Sequence, residues 1–259
     1  KLVDSVSLSD LSNILSKNEI NGERFVIIPA RESFDYVSDY KEFLIGRNVV
    51  RTSNGIEIVL DEINKKIKLF QNNPTDWVLF LGGDYSNWEI KFTGSADKAS
   101  ITPVDQRFNE FGLTGCLTLY QTIIDNTRLE VSGGQCEDSL NLLRVRGANI
   151  KAFINDAFSD ALDADFSRLK FTNLEVKNAG NDCFDVSGGN YSTTNAKLEN
   201  CSDKAISVGE MSSYEAENIR IIGARIGISA KDSSKVTVKS FSAQNVLHCG
   251  EAKRKKQEF

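Results

Sequence analysis

Asp163 and Asp185 stand 22 positions apart, and Asp165 follows Asp163 by two. In a chain that coils once every 22 residues these carboxylates become neighbours, because stacked strands lie about 4.8 Å apart and alternate residues of a strand share a face. Two ionised carboxylates at that separation repel by about 1 kcal/mol in water, and by several times that at a partly buried surface. A bound cation, a nearby lysine or a shared proton has to offset the repulsion. Asp163, Asp165 and Asp185 are hard oxygen ligands of the kind Ca²⁺ takes. Calcium held there would bridge an acidic polysaccharide to the protein, with Lys204 or Lys231 abstracting a proton as in a lyase. Alternatively, Asp163 and Asp185 act as acid and base or nucleophile in glycoside hydrolysis, where their separation decides the stereochemistry. The plain alternative is a solvated face of Asp and Ser that does no chemistry.

Other polar residues fall on the same lattice. Asp163 and Asp185 belong to a column with Asn141, Ser207, Ser229 and, by extension, Glu251. The next column holds Leu143, Asp165, Ser187, Gly209, Lys231 and Lys253. Ser187, Ser207 and Glu210 are therefore candidate substrate contacts beside Asp165. Asp138, Asp160 and Asp182 form a third column at the turn before the strand, where an Asp accepts backbone N–H bonds. Lys204 would neutralise Asp182 and Asp203, a structural role that competes with a catalytic one.

What positions these residues is an internal repeat, the feature to seek first in any chain. Segments beginning at Glu137, Ser159, Asn181, Asp203 and Arg225 align at a constant step of 22 without gaps. Leu140, Leu162, Phe184, Ile206 and Ile228 make one apolar column. Leu142, Ala164, Val186, Val208 and Ala230 make another, two residues on. Alternation at period two marks half-buried strands, and recurrence at 22 stacks each strand on its copy. The expected fold is all-β: a right-handed parallel β-helix over 74–259, with a small mixed α and β N-terminal cap over 1–73. Leu117 and Leu119 read as an earlier coil slightly out of phase, and Trp77–Thr93 as strand, turn, strand. In the cap, Leu8–Lys17 reads as a helix, while Arg24–Pro29 and Gly55–Leu60 read as strands. Gly250 and Ala252 continue the core columns, so the last coil reads as cut short, with further domains of a parent protein expected.

Composition narrows the classes. A formal charge of −5 argues against a nucleic-acid binder, which needs a basic face. The longest apolar runs are too short to cross a membrane. His248 is the single histidine, which removes multi-histidine metal sites and leaves no Ser-His-Asp triad that does not use it. The five cysteines show no C-x-x-C pair and no zinc spacing, so they read as buried reduced thiols, and a bond between Cys136 and Cys201 is excluded by distance along the helix. Trp77, Tyr85 and Trp88 read as core or cap packing more than as a sugar-stacking platform.

On the motifs Glu137–Asn141, Ser159–Ser167, Gly180–Gly188, Asp203–Glu210 and Gly227–Ser234, the chain from about Trp77 onward resembles the pectin-lyase-like superfamily of parallel β-helices. It is similar, more narrowly, to bacterial β-helix repeat proteins, some joined to CotH-like or other surface-associated modules. The resemblance implies a secreted or cell-surface protein that engages a polysaccharide or surface glycan, either as a lyase, epimerase or hydrolase or as a non-catalytic binding or structural module. It carries over no active site. The Asn-Thr-Asp, Gly-His-Gly and Arg-Ile-Lys elements of polygalacturonases and the Arg-x-Pro-x-x-Arg element of pectate lyases have no counterpart here.

Overall fold

The computed structural model describes residues 40–95, 108–109 and 111–256 of the 259-residue chain. The helix expected over Leu8–Lys17 and the strand expected over Arg24–Pro29 lie outside them. Among the described residues there is no helix, and so none long and apolar enough to cross a membrane. The described part opens with antiparallel pairs: β1 (Tyr40–Ile45) with β2 (Asn48–Ser53), and β3 (Ile56–Asp61) with β4 (Lys66–Gln71). β2 also pairs antiparallel with β5 (Val78–Leu81); the remaining pairings are parallel, and the chain winds as the expected β-helix.

Each coil contributes a short strand and a second strand, of five or six residues in the early coils and twelve in later ones. The short strands β5 (Val78–Leu81), β7 (Gly115–Tyr120), β9 (Asp138–Leu143), β11 (Asp160–Asp165) and β13 (Phe184–Ser187) stack in parallel. The second ladder runs through β4, β6 (Glu89–Thr93), β8 (Arg128–Ser132), β10 (Arg146–Ala157) and β12 (Arg168–Ala179). In β14 (Asn190–Gly209), β15 (Ser213–Lys231) and β16 (Lys235–Lys253) the long strand runs on into the short strand of the next coil, joining both ladders. Trp77–Thr93 thus holds two strands, as its pattern indicates, and Leu117 pairs with Leu140 after a step of 23, the expected phase shift.

Register turns the repeat into a core. Leu117, Leu140, Leu162, Phe184 and Ile206 stack with 0% exposure, as do Leu119, Leu142, Ala164, Val186 and Val208. Facing them, Ile90, Leu129, Ala152 and Leu174 are also fully buried. Burying one such large side chain stabilises by about 1.5–3 kcal/mol, and each column repeats that gain at every coil. Phe184 sets its ring edge-on to Phe171 and Tyr214 at 5.8 and 5.9 Å. Tyr85 is fully buried, with Trp77 and Trp88 nearly so, in keeping with packing.

The corners between strands repeat one backbone solution. Gln121, Arg144, Phe166, Gly188, Glu210 and Asp232 all adopt left-handed φ values of 51–62° at successive coils. Asp156, Asn178 and Asn200 do so at another corner, where Asn and Asp tolerate this region best. Their side chains also stack: Asn200 Nδ2 donates to Asn178 Oδ1 at 2.9 Å, and Asn178 Nδ2 to Asp156 Oδ1 at 2.7 Å.

The cysteines correct the expectation of reduced thiols. Cys116 bonds to Cys136 and Cys183 to Cys201, while Cys249 is free and exposed. Each bridge spans 20 or 18 residues, slightly less than one coil: Cys116 in β7 meets Cys136 in the turn before β9, and Cys183, just before β13, meets Cys201 within β14. Cys116 and Cys183 occupy the same column of small buried residues as Ser139 and Ala161. Closing a loop of this length contributes about 3 kcal/mol by chain entropy. Replacing Cys183 and Cys201 by Ala is expected to lower unfolding free energy in urea by about 2–4 kcal/mol. Dithiothreitol should then destabilise the variant less than the parent chain; equal loss in both would contradict the assignment.

Candidate functional site

The short-strand ladder places the acidic residues where the repeat indicates. Asp163 pairs with Asn141 on one side and Asp185 on the other, and Asp185 pairs with Ser207, which pairs with Ser229. Asp165 stands opposite Ser187. Asp163, Asp165, Asp185 and Ser187 are half-buried, whereas Asn141, Ser207 and Ser229 are buried. The acidic pair therefore sits in the accessible middle of an otherwise occluded polar column.

Its compensation comes from one lysine and from protons. Lys231 Nζ lies 3.9 Å from Asp185 Oδ2, although Lys231 stands two coils beyond Ser187. It passes over Gly209, where a Cβ would make ordinary van der Waals contact, 3.5 Å from Lys231 Cε and 3.9 Å from its Nζ. The buried lysine stem thus runs across the bare glycine toward Asp185. Asp163 has no such partner; Asn141 Nδ2 donates to its Oδ2 at 3.3 Å. Burial, reinforced by the charges of Asp138, Asp165 and Asp185, holds the Asp163 carboxyl well above its ordinary range. Burial raises Asp185 too, but Lys231 pulls it back toward the ionised form. Asp165 is pushed up to about 6 by burial and by the charges of Asp185 and Glu210, against the opposing charge of Lys256. Asp185 Oδ1 and Ser207 Oγ are buried on neighbouring rungs, where the Ser207 hydroxyl helps to favour the ionised Asp185.

The turn column behaves as its position indicates. Asp160 Oδ1 accepts the backbone N–H of Asp182 at 2.7 Å, and Asp182 Oδ1 accepts that of Lys204 at 2.9 Å. Burial and the charges of Asp182 and Asp185 lift Asp160 to about 7, and burial lifts Asp138, whose carboxylate accepts the Thr114 hydroxyl. Lys204 is bound to Asp182 and Asp203, and Arg225 Nε donates to Asp203 at 2.6 Å. That network holds Lys204 at the corner, from where its charge also favours the ionised form of Asp185. Glu210 occupies the left-handed corner and pairs with Lys256.

Among the described residues no group of three or more His, Cys, Asp or Glu side chains is arranged to hold a metal. A cleft of about 720 Å³ lies elsewhere, at the corner lined by Gly133, Gln135, Asp156, Phe158, Asn178 and Asn200 among others. Sequence spacing placed Asn141 in the Asp163 column but gave it no role; the structure shows it as a buried donor to Asp163. Comparison with known protein families, with curated proteins and with solved structures finds no match.

Two outcomes follow. A carboxyl whose pKa is raised on folding stabilises below its unfolded value of about 3.9, and that contribution is lost as pH rises through the folded value. The thermal midpoint is expected to fall from pH 5 to pH 8, through the values of about 6 and about 7 for Asp165 and Asp160, and Asp160→Asn should flatten that fall. A midpoint that rises over this interval would be inconsistent with buried protonated carboxyls. Secondly, Gly209→Val should push Lys231 away from Asp185 while Gly209→Ala leaves it in place. Carboxyl ¹³C titration would then show Asp185 raised further in the valine variant only.

Proposed function

We propose that this protein engages a carbohydrate polymer along the Asp163–Asp185 face and cleaves a glycosidic bond there. The observation that carries the reading is the in-register pair itself, in which only Asp185 has a lysine at hand. One carboxyl of such a pair stays protonated and the other ionised, the division of labour that glycoside hydrolysis needs. The rung spacing of about 4.8 Å suits the retaining geometry, about 5–5.5 Å between carboxyls, better than the wider inverting one. Asp185, ionised beside Lys231, attacks the anomeric carbon as the carbon–oxygen bond to the leaving sugar breaks, and Asp163 delivers its proton to the departing oxygen. Water then attacks the glycosyl–enzyme ester, gives its proton to Asp163 and frees Asp185, with net retention.

The resemblance to pectin-lyase-like β-helices supports a polymeric sugar, since that superfamily acts largely on polysaccharides. Two disulfides support an oxidising compartment such as the cell surface or exterior. Calcium, which the ligand types of Asp163, Asp165 and Asp185 suit, enters as an added component of the test. A non-catalytic glycan-binding module is the second reading, favoured by the position of the 720 Å³ cleft away from the acidic face.

Depolymerisation of acidic, neutral and amino-sugar polysaccharides, with calcium or EDTA, followed by size-exclusion chromatography, tests the proposal. Shortening that falls by about 10² or more in Asp163→Asn and Asp185→Asn, with the anomeric configuration retained, is expected. Unsaturated ends absorbing in the ultraviolet would replace the hydrolase by a lyase. Binding without shortening of any polymer would establish the module.

A further inference from the structure

The cleft of about 720 Å³ at the corner of the coils has no part in the chemistry of the acidic pair. Its volume falls within the range of about 300–1,000 Å³ common to small-molecule sites. Phe158 is the one aromatic residue among its described lining residues, and it stays 37% exposed. The counterpart of Phe158 one coil on is Gly180, whose N–H donates to the Ala157 carbonyl at 3.1 Å. A Cβ at Gly180 would collide with the Phe158 carbonyl oxygen, so that rung sets no side chain beside the ring. Along the same cleft runs a row of hydrogen-bonding groups with capacity to spare. Asn200 Nδ2 donates to Asn178 Oδ1, and Asn178 Nδ2 donates to Asp156 Oδ1. Each amide nitrogen carries two hydrogens and each side-chain oxygen two lone pairs, so the ladder engages only part of them. The second N–H of each amide, Asn200 Oδ1 and Asp156 Oδ2 have no partner among the described residues. Asp156 and Asn200 are exposed and Asn178 is half-buried.

We propose that this cleft binds a neutral pyranose unit of an oligosaccharide, with the sugar ring against Phe158 and its hydroxyls on the Asp156–Asn178–Asn200 ladder. The inference rests on the carbohydrate reading above for its ligand class, and adds a site that the acidic pair does not need. The axial C–H bonds of a pyranose give it an apolar face, which gains by leaving water for an aromatic ring. Its equatorial hydroxyls donate and accept at once. A ladder that offers N–H groups and oxygens on rungs about 4.8 Å apart meets both needs. A wholly apolar ligand would instead strip water from those groups and return no hydrogen bond. Charge selects the neutral sugar: Asp156 is the one charged residue among the lining residues described. A uronate would find no cation there and would meet a carboxylate of its own sign.

Amide ¹H–¹⁵N titration of the whole chain in an Asp163→Asn background, where no probe is cleaved, tests this. The probes are hexamers of β-linked glucose and of β-linked mannose, and an oligogalacturonate. At least one neutral hexamer should shift the amides of Gly133, Gly134, Asn178 and Gly180. Phe158→Ala should weaken that binding by about tenfold, while Phe158→Tyr, which keeps a ring, should retain it. Asp156→Asn keeps the acceptor for Asn178 but turns the free oxygen into a donor. It should lower affinity by about threefold at an unchanged thermal midpoint. Shifts confined to the strand of Asp185 and indifferent to Phe158→Ala overturn the inference while leaving the carbohydrate reading in place. Equal or tighter binding of the oligogalacturonate at the cleft overturns it as well. If no probe shifts any amide while the depolymerisation panel above shows shortening, this inference alone falls. If that panel shows neither shortening nor binding, the inference and the reading beneath it fall together.

Discussion

In-register parallel stacking is the constraint on which everything else in this protein depends. When a coil of 22 residues repeats, each side chain lies about 4.8 Å from its counterpart above and below. Like therefore meets like. For Leu140, Leu162, Phe184 and Ile206 this concentrates apolar surface into an unbroken column with no exposure. For asparagines at the corners it makes side-chain amides hydrogen-bond along the axis, as from Asn200 to Asn178. For acids it makes neighbours of groups that repel.

The protein answers that repulsion differently in each column. At the turns, Asp160 and Asp182 accept backbone N–H groups of the following coil, so their oxygens serve the corner geometry, and Lys204 closes the series. On the strand face the sequence breaks the acidic run after two rungs, with Asn141 before Asp163 and Ser207 after Asp185. The remaining pair is held by one distant lysine and by raised carboxyl pKa values. Such poised, half-buried acids are costly for stability, and perturbed acids in a partly open site are where acid–base chemistry concentrates.

Disulfides and left-handed corners fix the frame that holds the pair. Cys183 lies two residues before Asp185, and its bond to Cys201 closes the coil on which Asp185 stands. The corner at Gly188 and Glu210 sets where each short strand ends. Lys231 reaches Asp185 by passing over Gly209 from two coils beyond Ser187. The site is thus a property of four consecutive coils, from the one that carries Asp163 to the one that carries Lys231.

The sequence by itself determined the solenoid, its 22-residue step, the identity of the core columns and the juxtaposition of Asp163 with Asp185. Those follow from periodicity, because a repeat that buries its own copies dictates register without reference to anything distant. It also identified Lys204 as the counter-ion of Asp182 and Asp203, since all three lie within one step of each other. Only the tertiary structure decided the rest. Cys116–Cys136 and Cys183–Cys201 join positions that are unremarkable in spacing but meet across a coil. Lys231 and Asp185, 46 residues apart, meet because a long side chain leans obliquely across two rungs, a direction that no column of the repeat records. Burial of Asn141, Ser207 and Ser229 depends on what neighbouring side chains cover, so which polar residues of one column remain open to a ligand is settled by packing.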